Sequence, residues 1–368
     1  MDGWKRFVLT LVYGARKYLI KLFTHAFFHV NRRPSRIVIH RVGAFGDSIV
    51  ALPALKAIRD HYADALIDIY STQSVGVSLK DIADEKSIAD SIYIFKKGER
   101  EKAWGQIKSG NYDLYIELPQ NLNLVKSLLG ILRVKFKFGI DSAYGWDAGR
   151  VKKYLHYQKK AMKPPREVNR FLNTLKKHGV TGEEKYPLAI SEQDVAAADS
   201  ILNEPGKSYV GFLIGGKLQA KKWPIKNWAK LAQRLSAEND VVLIGGESER
   251  SEAAEIKKKV PDVLDLCGET SLMQTAAILQ KMTVVISHDT GAMHLAYAVG
   301  TPVIALFSTR ELSDKWFPPQ EKSKVIEKIE TCSFCFKQNC ENNICMQNIA
   351  VDEVVNAFHS LTGGLKKK

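Results

Sequence analysis

The stretch Ser287-His288-Asp289-Thr290-Gly291-Ala292-Met293-His294 follows an apolar run and opens a segment that reads as a helix to about Val299. Free backbone N–H groups at a helix start, at the positive end of its dipole, suit a diphosphate. Gly291 lets the backbone come close to such a ligand, and Thr290 adds a hydroxyl. The plainer alternative is that Asp289 or Thr290 merely caps the helix. Capping and phosphate binding are compatible, so both readings stand.

Four further groups carry chemical potential. Lys221-Lys222-Trp223-Pro224 follows Gly215-Gly216, and a lysine there can neutralise phosphate charge from the far side of a ligand; taken alone it also reads as a solvated basic loop. Gly43-Ala44-Phe45-Gly46-Asp47 lies between a strand-like and a helix-like run. It lacks the full G-x-G-x-x-G order of a dinucleotide turn. Its alternatives are a base, with Asp47 reaching a hydroxyl past Gly43 and Gly46, or a helix cap. Leu243-Ile244-Gly245-Gly246-Glu247 can present the Glu247 carboxylate to ribose hydroxyls, although exposed acids on loops are common. Cys332, Cys335, Cys340 and Cys345 fall close together. They read as a metal site, reduced structural thiols or a labile disulfide pair. The spacing matches no familiar zinc finger, so plain thiols and no metal are the preferred reading. Cys267, apart from them, reads as a small buried residue.

The elements that must position these groups alternate. Arg36–His40, Leu66–Tyr70 and Leu114–Leu118 read as strands, with Ile49–His61 as a helix. Later, Tyr209–Ile214, Val241–Ile244, Val284–Ser287 and Val303–Phe307 are compact β-branched runs with helical segments between them. That alternation predicts an α/β chain with parallel sheets covered on both faces. The polar stretch Thr181–Pro205 marks the boundary between two doubly wound domains facing a cleft. Ligands of such sheets lie beyond the carboxyl ends of the strands.

The 368 residues suffice for two domains. A net charge of +14 favours anionic partners: nucleic acid, membrane or phosphorylated substrate. No nucleic-acid-binding signature accompanies the charge, which sets nucleic acid aside. The five cysteines, four of them clustered, point to a reduced cytoplasmic chain rather than a secreted disulfide scaffold. Within residues 4–27, Trp4, Phe7, Val8, Leu11, Ala15, Tyr18, Leu19, Leu22 and Ala26 form one apolar face, with Lys5, Arg6, Arg16, Lys17 and Lys21 mostly opposite. Charges interrupt this run too often for a spanning helix. It reads either as a helix lying in an anionic membrane surface or as an amphipathic helix packed on its own domain.

Taken together, these groups resemble glycosyltransferase family 9, the ADP-heptose lipopolysaccharide heptosyltransferases. Val285–Ser308 resembles the family's D-[ST]-G-x-x-H signature, Lys221-x-Trp223-Pro224 its K-x-W-P, and Gly46-Asp47 with Leu52-Pro53-Ala54-Leu55 its N-terminal G-D and following helix. The Cys332–Cys345 turn also resembles one found in many members. The likeness runs from about Arg36 to Val355. It implies a GT-B type fold of two Rossmann-like domains facing a central cleft, and inverting transfer with neither metal nor cofactor. By that resemblance Asp47 is the general base, beside an acceptor-side loop carrying Gly43 and Gly46. Lys221 faces the donor phosphates, Thr290 and Gly291 bind the diphosphate, and Asp289 binds donor sugar hydroxyls. His294 supports the site, Thr270 lies in the adenosine-facing loop, and Glu247 meets the ribose.

The resulting expectation divides the chain into a basic amphipathic segment at 1–35, an acceptor domain at 36–185, a nucleotide-sugar domain at 186–350, and a C-terminal helix and basic tail at 351–368. The expected partners are ADP-heptose, a lipopolysaccharide core acceptor and an anionic membrane surface, without nucleic acid. The expected location is cytoplasmic, at the inner face of the cytoplasmic membrane; the segment preceding the first strand, which many family members lack, suggests the attachment. Two other readings compete: a protein heptosyltransferase using the same donor, and a noncatalytic nucleotide- or nucleic-acid-binding module.

Overall fold

The structure is a computed structural model. It describes residues 34–119, 138–139 and 166–365, apart from 74, 75, 97, 177, 205, 206, 312, 313 and 334. The amphipathic segment at 4–27 and the tail Lys366–Lys368 lie outside the described residues.

The first sheet is built from β1 (Arg36–Val42), β2 (Leu66–Thr72), β3 (Ser91–Phe95), β4 (Leu114–Pro119) and β5 (Phe138–Gly139). Its order is β3-β2-β1-β4-β5, and every pair is parallel. Helix α1 (Phe45–His61) follows β1, α2 (Arg100–Ser109) precedes β4, and α3 (Glu167–Lys176) packs on α1. The second sheet follows α4 (Glu192–Ile201). It contains β6 (Tyr209–Leu213), β7 (Asp240–Ile244), β8 (Leu264–Asp265), β9 (Val284–His288), β10 (Val303–Phe307) and β11 (Ser323–Glu327). Its order is β11-β10-β9-β6-β7-β8, again parallel throughout. Its helices are α5 (Ile225–Leu235), α6 (Arg250–Lys257), α7 (Leu272–Gln280), α8 (Gly291–Ala298) and α9 (Val351–Leu365).

Strands covered on both faces read as unbroken apolar runs, and all five residues of β9 and of β10 are buried. The polar stretch between the sheets is not structureless: it holds α4, which packs on α7. Its start is set by a capping box in which the Ser191 hydroxyl accepts from Asp194 N–H at 3.2 Å and the Asp194 carboxylate accepts from Ser191 N–H at 2.9 Å.

One apolar cluster joins the two lobes. Ile37, Ile39, Leu52 and Leu55 share it with Leu213, Ile278, Met293 and Leu295. Helices α1 and α8 lie against each other at its centre. Each fully buried Leu or Ile there contributes roughly 1.5–3 kcal/mol. Outer clusters cover the far faces, under α2 in the first lobe and under α5 and α9 in the second. Among the described residues, no helix is long and apolar enough to cross a membrane.

Candidate active site

In each sheet the strand order reverses beside the first strand of the lobe: between β1 and β4, and between β6 and β9. Open parallel sheets bind their ligands at such points, beyond the carboxyl ends of the strands. The loop after β1 carries Gly43–Asp47. The loops after β6 and β9 carry Gly215–Lys221 and Asp289–Gly291. These loops meet: a Cβ on Gly46 would stand 2.7 Å from His294 Cδ2 and 3.0 Å from Gly291 Cα, and one on Gly291 would stand 2.2 Å from the Phe45 ring. Glycine at both positions lets the two helix starts come this close without displacing a neighbour.

Asp47 lies inside α1 rather than in the loop before it. Ala44 is the N-cap and Asp47 the third helical residue, so its carboxylate accepts the Ala44 N–H at 2.9 Å. The carboxylate that caps α1 is therefore the one expected to serve as base. Burial raises the Asp47 carboxyl from 3.8 to about 6, while the charge of Arg41 and the Ala44 N–H pull the other way. A carboxylate poised near neutrality suits a general base.

Beneath it lies Arg41, 1% exposed. Its guanidinium donates to Val42 O at 2.8 Å, Leu118 O at 3.0 Å and Asp47 O at 2.6 Å. It thus fixes the ends of β1 and β4 and the first turn of α1. Gly43 is required by the same group, since a Cβ there would lie 2.8 Å from Arg41 Nη2. Glu167 and Arg170, a buried pair on α3, complete the surroundings. Glu167 N–H bonds Lys315 O of the second lobe at 2.8 Å.

On the other side, Lys221 Nζ meets Asp289 Oδ2 at 2.5 Å with both side chains largely buried. Despite the cost of burial, Asp289 and Glu311 hold the Lys221 ammonium above its ordinary value. The cation is thus kept charged in a poorly solvated place, where electrostatic interactions are strong. Thr290 is the N-cap of α8, its hydroxyl accepting Met293 N–H at 3.4 Å, and Gly291 opens the helix. His294 is buried, bonds Tyr297 Oη through Nδ1 at 2.9 Å, and is pushed down to about 3 by burial and by the charges of Lys221 and Arg166. It is a neutral wall of the site.

The remaining expected residues lie along the rim formed by β7 and β8. Thr270 shares a 2.8 Å hydroxyl bond with Thr275. The Glu247 side chain is 76% exposed and paired with Arg250 Nε at 2.7 Å. Glu249, two residues on, turns inward, accepting Gly246 N–H at 3.0 Å and facing Lys222 Nζ at 3.8 Å.

The Cys-rich turn supports the Lys221 loop. Ala220 N–H donates to Gln338 O at 3.1 Å, Cys340 N–H to Gln219 Oε1 at 2.9 Å, and Asn343 Nδ2 to Lys222 O at 2.8 Å. All five cysteines are free thiols, and Cys267 is buried as expected. Among the described residues, no three His, Cys, Asp or Glu side chains are grouped to hold a metal.

Four contributors drew no role from the sequence: Arg41, Glu311, Lys315, and His288, which stands inside the Ser287–His294 stretch. Arg41 and His288 sit at strand ends, where a polar residue reads as a solvated terminus. Their signal was slight, being only a charged or polar residue next to a glycine turn or beside the Asp289 motif. Glu311 and Lys315 lie in a connecting segment, and only the fold brings them to Lys221 and Asp47.

Comparison with known proteins places the arrangement. The family model described as glycosyltransferase family 9 (heptosyltransferase) matches residues 100–345. Lipooligosaccharide heptosyltransferase 2 of Campylobacter jejuni is 23% identical over 335 residues, covering 89% of this chain and 98% of that one. A family 9 glycosyltransferase structure from Veillonella parvula superimposes with a TM-score of 0.69 at 19% identity, covering 89% of this chain and 97% of that one. The Escherichia coli ADP-heptose lipopolysaccharide heptosyltransferase II structure does so with 0.63 at 20% identity, covering 90% and 99%. The two-sheet architecture is the GT-B type of these structures, and the chain belongs to glycosyltransferase family 9, the heptosyltransferase family.

Proposed function

We propose that this glycosyltransferase moves heptose from ADP-heptose to the inner core of lipopolysaccharide, on a Kdo- or heptose-bearing acceptor, with inversion at the anomeric carbon. The observation that carries the reading is the meeting of the start of α1, which carries Asp47, with the start of α8, next to the Asp289 that holds Lys221. Single displacement needs a base on the sugar face opposite the leaving group. Asp47 takes the acceptor hydroxyl proton as that oxygen bonds to the anomeric carbon. The bond to the diphosphate oxygen breaks, and the charge released there falls to Lys221, Thr290 and the N–H groups at Gly291. These fixed charges and dipoles act most strongly on charge that develops in the transition state. Asp289 receives donor sugar hydroxyls, His294 walls the site, Thr270 faces adenosine and Glu247 reaches the ribose. Gly43 and Gly46 keep the acceptor side open.

The same reading takes residues 36–185 as the acceptor side and 186–350 as the donor side, with residues 1–35 holding the enzyme to the anionic cytoplasmic face of the membrane. The donor is tested by measuring turnover of ADP-heptose, ADP-glucose, UDP-glucose and GDP-mannose with lipopolysaccharide core acceptor. ADP-heptose is expected to lead the panel by at least tenfold in kcat/KM. A uridine or guanosine donor turned over as well as ADP-heptose contradicts the proposal.

A further inference from the structure

His288, the last residue of β9, is fully enclosed and stands next to Asp289 in sequence. Its ring lies edge-on to Trp228, with centroids 5.2 Å apart. Nδ1 lies 3.2 Å from Gly215 O, and Nε2 accepts the Trp223 N–H at 2.7 Å. A carbonyl on one side and an N–H on the other fit one protonation state: neutral imidazole, with its proton on Nδ1. Burial pushes the ring down to about 4, and the nearby charge of Lys222 acts in the same direction. Protonation would turn Nε2 into a donor against the donor of Trp223.

The two groups joined by this ring belong to different parts of the donor side. Gly215 ends the run after β6, at the reversal of strand order. Trp223 lies two residues beyond Lys221 and is itself buried, its indole Nε1 donating to Ile349 O at 3.0 Å. The short turn Gln219–Lys221 therefore leaves an anchored tryptophan on one side and a fixed strand end on the other. The consecutive residues His288 and Asp289 grip this turn twice, at the Trp223 backbone and at the Lys221 ammonium.

We infer that His288 is a positioning residue for the transferase: a neutral imidazole bracket that sets where the Lys221 ammonium stands relative to the donor diphosphate. This rests on the proposed donor reading of Lys221. The ring touches no substrate. It acts by giving a buried backbone N–H its only acceptor among the described residues, so that the loop keeps one conformation. Removing that acceptor leaves the donor unpaired, a change worth roughly tenfold or more in an equilibrium, and the loop relieves it by moving.

The test is calorimetric titration of the full-length protein with ADP, using wild type, His288→Phe, His288→Gln and Lys221→Ala, and both His288 variants combined with Lys221→Ala. Phenylalanine keeps the ring and removes both polar atoms; glutamine restores an acceptor near Nε2. Circular dichroism and thermal unfolding accompany each variant. His288→Phe is expected to weaken ADP about tenfold when Lys221 is present and less than twofold when it is absent, because its effect runs through that ammonium. His288→Gln is expected to recover most of the loss; if the phenylalanine variant does not fold, His288→Leu, which also removes both polar atoms, takes its place in the comparison. An equal loss with and without Lys221, or wild-type affinity in a folded variant that lacks both polar atoms of the ring, overturns the bracket while leaving the donor site standing. A wild type that binds no ADP removes the donor reading, and the bracket falls with it.

Discussion

At the scale of single residues, the account turns on Asp47 and the buried charge beneath it. Burial raises the carboxyl to about 6 and Arg41 restrains the rise, so kcat/KM is expected to fall about tenfold per pH unit below about 6. Arg41→Gln removes the restraint and should move that acid limb to higher pH, which a pH–rate profile reads directly. The same carboxyl affects stability. Its unfolded value is near 3.8, so from there to about 6 the folded state holds the proton more tightly. Folding is favoured at the acid end and loses that share as pH rises through about 6. Asp47→Asn should therefore gain about 1–2 kcal/mol over wild type at pH 7.5, allowing for partial solvent screening, and gain nothing at pH 3.5. On the proposed reading Asp47 is a base maintained at a cost to the fold, a familiar trade between activity and stability. The Gly-Asp pair was legible in the sequence because a glycine turn before a helix is a local signal. Arg41 was not, because nothing local distinguishes a buried guanidinium from a charged strand end.

At the scale of elements, the site depends on the starts of α1 and α8 lying against each other. A Cβ on Gly46 meets the His294 ring and the Gly291 backbone. That ring is buried and tied to Tyr297, so it has no room to yield. A Cβ on Gly291 meets chiefly the half-buried Phe45 ring, with the Gly46 nitrogen next at 3.2 Å, and a phenyl ring can turn. Gly46→Ala should therefore cost roughly 1–3 kcal/mol of stability, more than Gly291→Ala, and should push the lobes apart. Chemical denaturation with small-angle scattering measures both effects; an unchanged radius of gyration and midpoint for Gly46→Ala would contradict this packing. The inner strands were legible because burial on both faces leaves continuous β-branched runs, and β10 lies where the sequence puts it, at Val303–Phe307. Other elements were not. β5 and β8 are two residues long, too short for a period to register. In the edge strand β3, Tyr93 is exposed and stacks on Tyr70 at 4.8 Å, a contact that only sheet formation creates.

At the scale of the whole molecule, neither lobe is a complete site. The first contributes Asp47, the proposed base, and its buried arginine; the second contributes the Lys221 ammonium, its carboxylate partner and a helix start. A shared apolar core holds the two together. The division into two sheets was legible from the alternation of runs. The inward turn of Glu249 beside an outward Glu247, and the use of the Cys-rich turn as a strut beneath Gln219–Lys222, were not, because both arise from contacts between segments far apart in the chain. On the proposed reading, a site divided in this way makes nucleotide release depend on an acceptor in reach of Asp47. The most direct measurement is ADP release from ADP-heptose, with and without lipopolysaccharide core acceptor, for wild type and Asp47→Asn. Acceptor-dependent release by wild type, reduced at least a hundredfold in a folded variant that still binds ADP, is the expected result. Release by the variant within a few fold of wild type would contradict the assignment of Asp47 as the base and, with it, the proposed division of labour between the lobes.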